Sequence, residues 1–168
     1  PAGTYFLRVQ NFGQGTGNFT VGVRFGVLDN ATESEPNDVI GLATPLANFA
    51  NATGRLLTSA DADYYMFTVT GGTHGVTLIA RSTIAHDNSP QLATDITLGL
   101  YGSVGGLITS QNSDNGPDAD ETIITELAAG TYFAKVSTTA PVDAKAGQYE
   151  LNLRVSDVSL SLTPNHPP

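Results

Sequence analysis

Asp61-Ala62-Asp63-Tyr64-Tyr65-Met66-Phe67-Thr68-Val69 joins an acidic turn directly to a strand. Tyr65, Phe67 and Val69 fall on one face by the two-residue period of extended chain. Asp63 has the same parity, so it stands at the mouth of the apolar face. A carboxylate there needs a partner. Upstream lies a second acidic stretch, Glu33-Ser34-Glu35-Pro36-Asn37-Asp38, with carboxylates, one side-chain amide and no positive charge. Pro36 holds Glu35 in extended geometry, so the segment does not begin as a helix. Two readings of the acidic clusters stand open. They are solvated turn and capping residues, or they are oxygen ligands that wrap a hard cation such as calcium.

Further strands follow the same pattern along the chain. The expected strands are Gly54 to Thr58, Tyr64 to Val69, Val76 to Ala80, Asp95 to Tyr101, Leu107 to Ser110, Glu121 to Leu127, Gly130 to Val136 and Gly147 to Val155. The last alternates cleanly, with Tyr149, Leu151, Leu153 and Val155 opposite Glu150, Asn152 and Arg154. Polar loops cover Ser82 to Ala93 and Gln111 to Asp120, and Val39 to Leu46 has room for a short helical turn. Roughly eight short strands with no long helix predict an all-β, antiparallel sandwich or barrel. The inward positions predict a core of Tyr65, Phe67, Val69, Leu98, Leu100, Tyr132, Val136, Tyr149, Leu151 and Leu153.

An internal repeat organises the chain. Ala2-Gly3-Thr4-Tyr5-Phe6 recurs as Ala129-Gly130-Thr131-Tyr132-Phe133, and Asn18-Phe19-Thr20-Val21 matches Gln148-Tyr149-Glu150-Leu151 in pattern. Residues 1–27 therefore read as the closing hairpin of a preceding, incomplete copy. Residues 28–32 read as a linker and 33–156 as a complete domain. Residues 157–168 read as a linker or the first strand of a following domain. On this reading the chain is a slice of something longer. The hairpin's apolar faces predict burial against strands from a neighbouring domain or an identical subunit, by strand pairing that builds a head-to-tail array.

Composition narrows the partners. Seven Lys+Arg against sixteen Asp+Glu leave a net charge of −9 over 168 residues. No basic patch is available to neutralise phosphates, which argues against nucleic acid. No apolar run approaches a membrane span, so no membrane insertion is expected. The absence of Cys removes disulfides, thiolate metal sites and Cys nucleophiles.

The E-P-N-D stretch, the D-x-D-Y-Y-x-F-x-V strand, the L-x-L-Y-G segment from Leu98 to Gly102 and the late A-G-T-Y-F … G-Q-Y-E-L pair occur in a distinctive order. Together they resemble the bacterial pre-peptidase C-terminal domain, the family that includes the collagen-binding modules of clostridial collagenases. The resemblance covers Glu33 to Val155. It implies a jelly-roll-like β-sandwich, secreted or on the cell surface. It also implies calcium held between the acidic linker and the acidic turn. Carried over residue by residue, the ligands are Glu33, Glu35, Asn37, Asp38, Asp61 and Asp63, with Ser59 beside them. Collagen binding does not carry over, because the aromatic surface it uses cannot be mapped onto this sequence. Asp157 to Pro164 resembles the opening strand of an Ig-like surface repeat.

Catalytic patterns are missing from the sequence. His74, His86 and His166 have no H-E-x-x-H spacing, and no G-x-S-x-G elbow accompanies Ser82 or Ser89. The paired carboxylates lie in linkers and turns, which suits cation binding better than glycoside hydrolysis. Asn18, Asn30 and Asn51 open chance glycosylation sequons. Two function classes follow. One is a non-catalytic, calcium-stabilised module that forms a repeated structural or adhesive unit. The other is an accessory domain of a secreted protease or other hydrolase that binds protein fibre or polysaccharide. An exposed row of aromatics on one sheet face favours the second.

Overall fold

A computed structural model describes residues 29–83, 94–112, 120–138 and 147–156. The N-terminal repeat, the segment from Asp157 onward, His86, His166, Ser89 and Asn18 lie outside the described residues.

Ten strands follow one another: β1 (Asp29–Thr32), β2 (Thr44–Pro45), β3 (Ala50–Arg55), β4 (Ala62–Val69), β5 (His74–Ser82), β6 (Thr97–Gly102), β7 (Leu107–Gln111), β8 (Glu121–Leu127), β9 (Gly130–Ser137) and β10 (Gln148–Val155). They form two five-stranded sheets, ordered β1-β3-β10-β5-β8 and β2-β4-β9-β6-β7. The β-sandwich read from the sequence is therefore present. A 3-10 turn at Ile40–Leu42 occupies part of the segment expected to hold a helical turn.

The differences from the sequence reading have simple causes. Asp29–Thr32 was assigned to a linker but pairs in parallel with β3 as an edge strand. Thr44–Pro45 likewise pairs in parallel with β4. These short edges make both sheets mixed, whereas the remaining pairs are antiparallel. A four-residue or two-residue strand carries too little alternation to be seen in sequence. β3 lies earlier than expected because its inward residues are Ala50 and Ala52, both fully buried, and alanine gives little strand signal. The late hairpin is not a hairpin. β9 sits between β4 and β6 in one sheet, and β10 sits between β3 and β5 in the other. Each strand of the repeat is thus the central strand of its own sheet.

The inward faces meet in one core. Tyr65, Phe67, Val69, Leu98, Leu100, Val136, Tyr149, Leu151 and Leu153 are buried as expected, with Leu56, Leu78 and Ile123 among them. Tyr132 is only partly buried and packs from the margin, stacked on Phe67 at 5.9 Å between centroids. Removing such side chains from water supplies about 1.5–3 kcal/mol each. Tyr65 and Tyr149 meet edge to face across the two sheets, with centroids 6.4 Å apart. Their hydroxyls emerge from the core at one end of the sandwich, and the acidic residues gather there.

Candidate metal centre

The segment after β1 is pinned from both sides. The Glu33 amide donates to Thr53 O at 3.0 Å, and the Glu33 carboxylate accepts from the Arg55 amide at 2.7 Å. The Ser34 amide donates to Thr44 Oγ1 at 3.1 Å. The Glu35–Pro36 bond is cis. The Asn37 amide N–H donates to Glu35 Oε2, and Asn37 O accepts from the Tyr64 amide, each at 3.0 Å. These bonds fold the linker over the start of β4 and push the Asn37 side chain out of solvent entirely.

Glu33, Glu35 and Asp63 converge there, with one carboxylate oxygen from each lying within 4.8 Å of the others. Asp63 is fully buried. Its Oδ2 accepts from the Tyr149 hydroxyl at 2.5 Å, and the same hydroxyl lies 3.1 Å from Glu33 Oε2 and 2.6 Å from the Tyr65 hydroxyl. The cluster therefore bridges the sheets, with Glu33 following β1, Tyr149 on β10, and Asp63 and Tyr65 on β4.

Burial pushes the Asp63 carboxyl up to about 8, with the Glu33 and Asp61 charges adding to the rise and the Tyr149 hydroxyl opposing it. Burial also raises Glu33, though hydrogen bonds from Asp63, Arg55 and Tyr149 work the other way. Both tyrosines titrate above their ordinary range for the same first reason, burial. Burial of Asp63 beside the partly buried Glu33 carboxylate disfavours ionising both together.

The Asn37 side-chain amide turns its nitrogen inward, and Nδ2 donates to Glu35 Oε2 and to Asp63 Oδ1, each at 3.0 Å. The convergent ligand atoms are carboxylate oxygens, with no His or Cys in the group. That chemistry fits a hard divalent ion such as calcium or magnesium better than zinc.

The remaining candidates stand apart. Asp38 is exposed, and its Oδ1 is 3.4 Å from the Ala62 amide. Asp61 Oδ2 accepts from the Leu57 amide at 2.5 Å, which closes the turn before β4. Asp38 and Asp61 share a shallow depression of about 630 Å³ with Glu35, beside the convergent group. Ser59 is exposed on that turn.

Sequence reasoning missed Tyr149, Tyr65 and Gly54 as members of the site. Tyr149 and Tyr65 were assigned to the core alone, yet a buried tyrosine hydroxyl needs a partner. Gly54 lies opposite Tyr149 in the β3–β10 register. A Cβ at position 54 would clash with the Tyr149 hydroxyl and stand 2.5 Å from Glu33 Oε2. A glycine inside a strand marks such close approach.

The two-sheet β-sandwich has solved structural counterparts. The pre-peptidase C-terminal domain of a collagenase from Bacillus anthracis is similar in structure, with a TM-score of 0.51 and 16% identity over 73% of this chain and all of that one. A periplasmic lysozyme inhibitor of g-type lysozyme from Aeromonas hydrophila, PliG, aligns over 77% of this chain and all of its own, at TM-score 0.43 and 14% identity. No family model matches the sequence, and no curated protein matches it. The fold is thus the one expected for a pre-peptidase C-terminal domain. No helix among the described residues is long and apolar enough to cross a membrane.

Proposed function

We propose that the chain is a non-catalytic, extracellular β-sandwich module stabilised by calcium, and a repeated structural or adhesive unit of a larger secreted or surface protein. The observation that carries the cation reading is the convergence of Glu33, Glu35 and Asp63 around the buried Asn37 amide. A bound cation would replace the proton on Asp63 and hold the linker against β4, with water or the flanking Asp38 and Asp61 completing the six to eight oxygens calcium takes. Melting curves in calcium and in chelator test this reading. Equal curves would remove it.

The internal repeat supports the repeated-unit reading. In the described copy the two repeated strands are the central strands of different sheets. A preceding copy would therefore need flanking strands in both sheets, supplied by a neighbouring domain or an identical subunit.

A second reading is an accessory domain that attaches a secreted hydrolase to its substrate. Its support is the collagenase origin of the structural neighbour and an aromatic face on the second sheet. As for catalysis, His74 is committed to the carbonyl of Ser156 at 2.5 Å, and among the described residues no nucleophile–base pair accompanies it.

A further inference from the structure

The sandwich is entered and left at the same end. β1 runs parallel to β3, with Asp29 beside Ala50. β10 runs antiparallel to β3, so Val155 lies past the Ala50 end as well. Two strand spacings, about 10 Å, separate β1 from β10. The exit is fixed by three hydrogen bonds to the start of β5. The Ser156 amide donates to Gly75 O at 2.8 Å, the Gly75 amide donates to Ser156 Oγ at 3.0 Å, and His74 Nδ1 donates to Ser156 O at 2.5 Å. Residues 70–73 and 128–129 turn at this end too, because Val69 pairs with Gly130 and His74 with Leu127. These turns read Thr-Gly-Gly-Thr and Ala-Ala, exposed and without charge. The opposite end holds the acidic clasp of Glu33, Glu35 and Asp63, with Asp38 and Asp61 beside it.

We propose that this neutral end docks a preceding copy of the same domain, the two copies meeting end to end with their acidic clasps facing outward. The inference rests on the repeated-unit reading. The repeat aligns Phe25 of that copy with Val155 of this one, and residues 26–28 alone lead from there to Asp29. Four Cα steps reach at most about 14 Å. A strand of eight residues, such as β10, is about 26 Å long. The connection therefore holds the exit end of the preceding copy against the end where Asp29 enters, and cannot carry it to the clasp. Charge decides between the arrangements that remain. A copy folded back alongside would set clasp beside clasp, and like charges would oppose it. Abutting the uncharged turns keeps the clasps apart. Residues 1–28 bring Arg8 and Arg24 to this junction and none of the sixteen Asp+Glu.

The test uses residues 1–168, which contain no cysteine, with spin labels on two introduced cysteines. Gln14→Cys lies in the segment that the repeat aligns with residues 137–147, and Ala60→Cys lies in the turn before β4. The pair reports the two acidic ends. Labelled chain is diluted into unlabelled chain so that each distance is within one molecule. Electron–electron double resonance is expected to give one narrow distance near 50 Å, two eight-residue strands laid end to end. Gly72→Glu/Ala129→Glu puts carboxylates into the junction and should broaden the distribution; Gly72 has open space where the Cβ would stand. Thr122→Glu, exposed on the other sheet, should leave it narrow. Melting curves establish that each variant is folded. A narrow distance below about 35 Å, as for copies packed side by side, overturns the end-to-end arrangement and leaves the repeated unit standing. A broad distribution in the parent also overturns the proposal. If the amides of residues 1–28 then exchange at the rate of free chain, the repeated-unit reading falls with it. A double variant as narrow as the parent overturns the assignment of the junction to these turns.

Discussion

Adding one methyl group at Gly54 should disable the clasp without touching a carboxylate. A Cβ at this position would clash with the Tyr149 hydroxyl and its Cζ and lie 2.5 Å from Glu33 Oε2. None of these atoms can yield freely. Tyr149 is 1% exposed and anchored in β10, and Glu33 is held by the Arg55 amide. Overpacking of a filled site costs about 1–3 kcal/mol. Displacing the Tyr149 hydroxyl also breaks its bond to Asp63, and a hydrogen bond to a charged or proton-sharing carboxyl contributes about 1.5–3 kcal/mol. Gly54→Ala should therefore destabilise the domain by about 3–5 kcal/mol. At about 2–4 °C per kcal/mol for a chain of this size, Tm should fall by roughly 6–20 °C. Differential scanning calorimetry reads the shift, and calcium titration should show weakened binding as Glu33 is pushed aside. The variant Gly54→Ala/Tyr149→Leu frees the space and should recover part of the packing loss while leaving calcium binding impaired. A Gly54→Ala protein that melts within a degree of the parent and binds calcium equally would refute the geometry.

Stability of the metal-free protein should fall as pH rises. Asp63 has a folded-state value raised to about 8, against an ordinary 3.8. A raised carboxyl contributes its stability below the unfolded value and loses it as pH climbs through the folded value. Tm in chelator should therefore decline between about pH 4 and 8 on this account, and Asp63→Asn should flatten the decline. Calcium should oppose the trend, since binding expels the Asp63 proton. Asn37→Asp adds a fourth carboxylate to the cluster, so it should lower Tm in chelator and widen the gap between chelator and calcium, as thermal melts in the two buffers would show. Deleting residues 1–28 should abolish any self-association seen for residues 1–168 in sedimentation. A monomer before and after deletion would remove the strand-exchange form of the repeated-unit reading.

The larger part of the sandwich was legible because its main strands alternate strongly. Tyr149, Leu151, Leu153 and Val155 announce β10 by period alone, and Tyr65, Phe67 and Val69 announce β4. The order of strands was not legible. Ala129–Phe133 and Gln148–Leu151 look like two arms of a hairpin, yet period-2 pattern says which face a residue takes and not which sheet receives the strand. The clasp was half legible. Glu33, Glu35, Asn37 and Asp63 come together because Pro36 and the Asp63 parity could be read locally. Asp38 and Asp61 face the neighbouring depression instead, because the Asp61 carboxylate is used to close its own turn. The contribution of Tyr149 depends on a strand more than eighty residues away in sequence from Asp63, a pairing that no local pattern encodes. Gly54 stands at the start of the expected strand Gly54 to Thr58 and inside the observed β3, and its role needs the partner across the register to be known.

The most direct test of the account is a pair of melting curves for residues 1–168, one in calcium at about a hundredfold excess over Kd and one in chelator. A ligand bound only by the folded state stabilises by about 2.7 kcal/mol at that excess, equivalent to a rise in Tm of about 5–11 °C. Asp63→Asn should abolish most of the difference. Superimposable curves for the parent protein would contradict the claim that the acidic clasp is a calcium site.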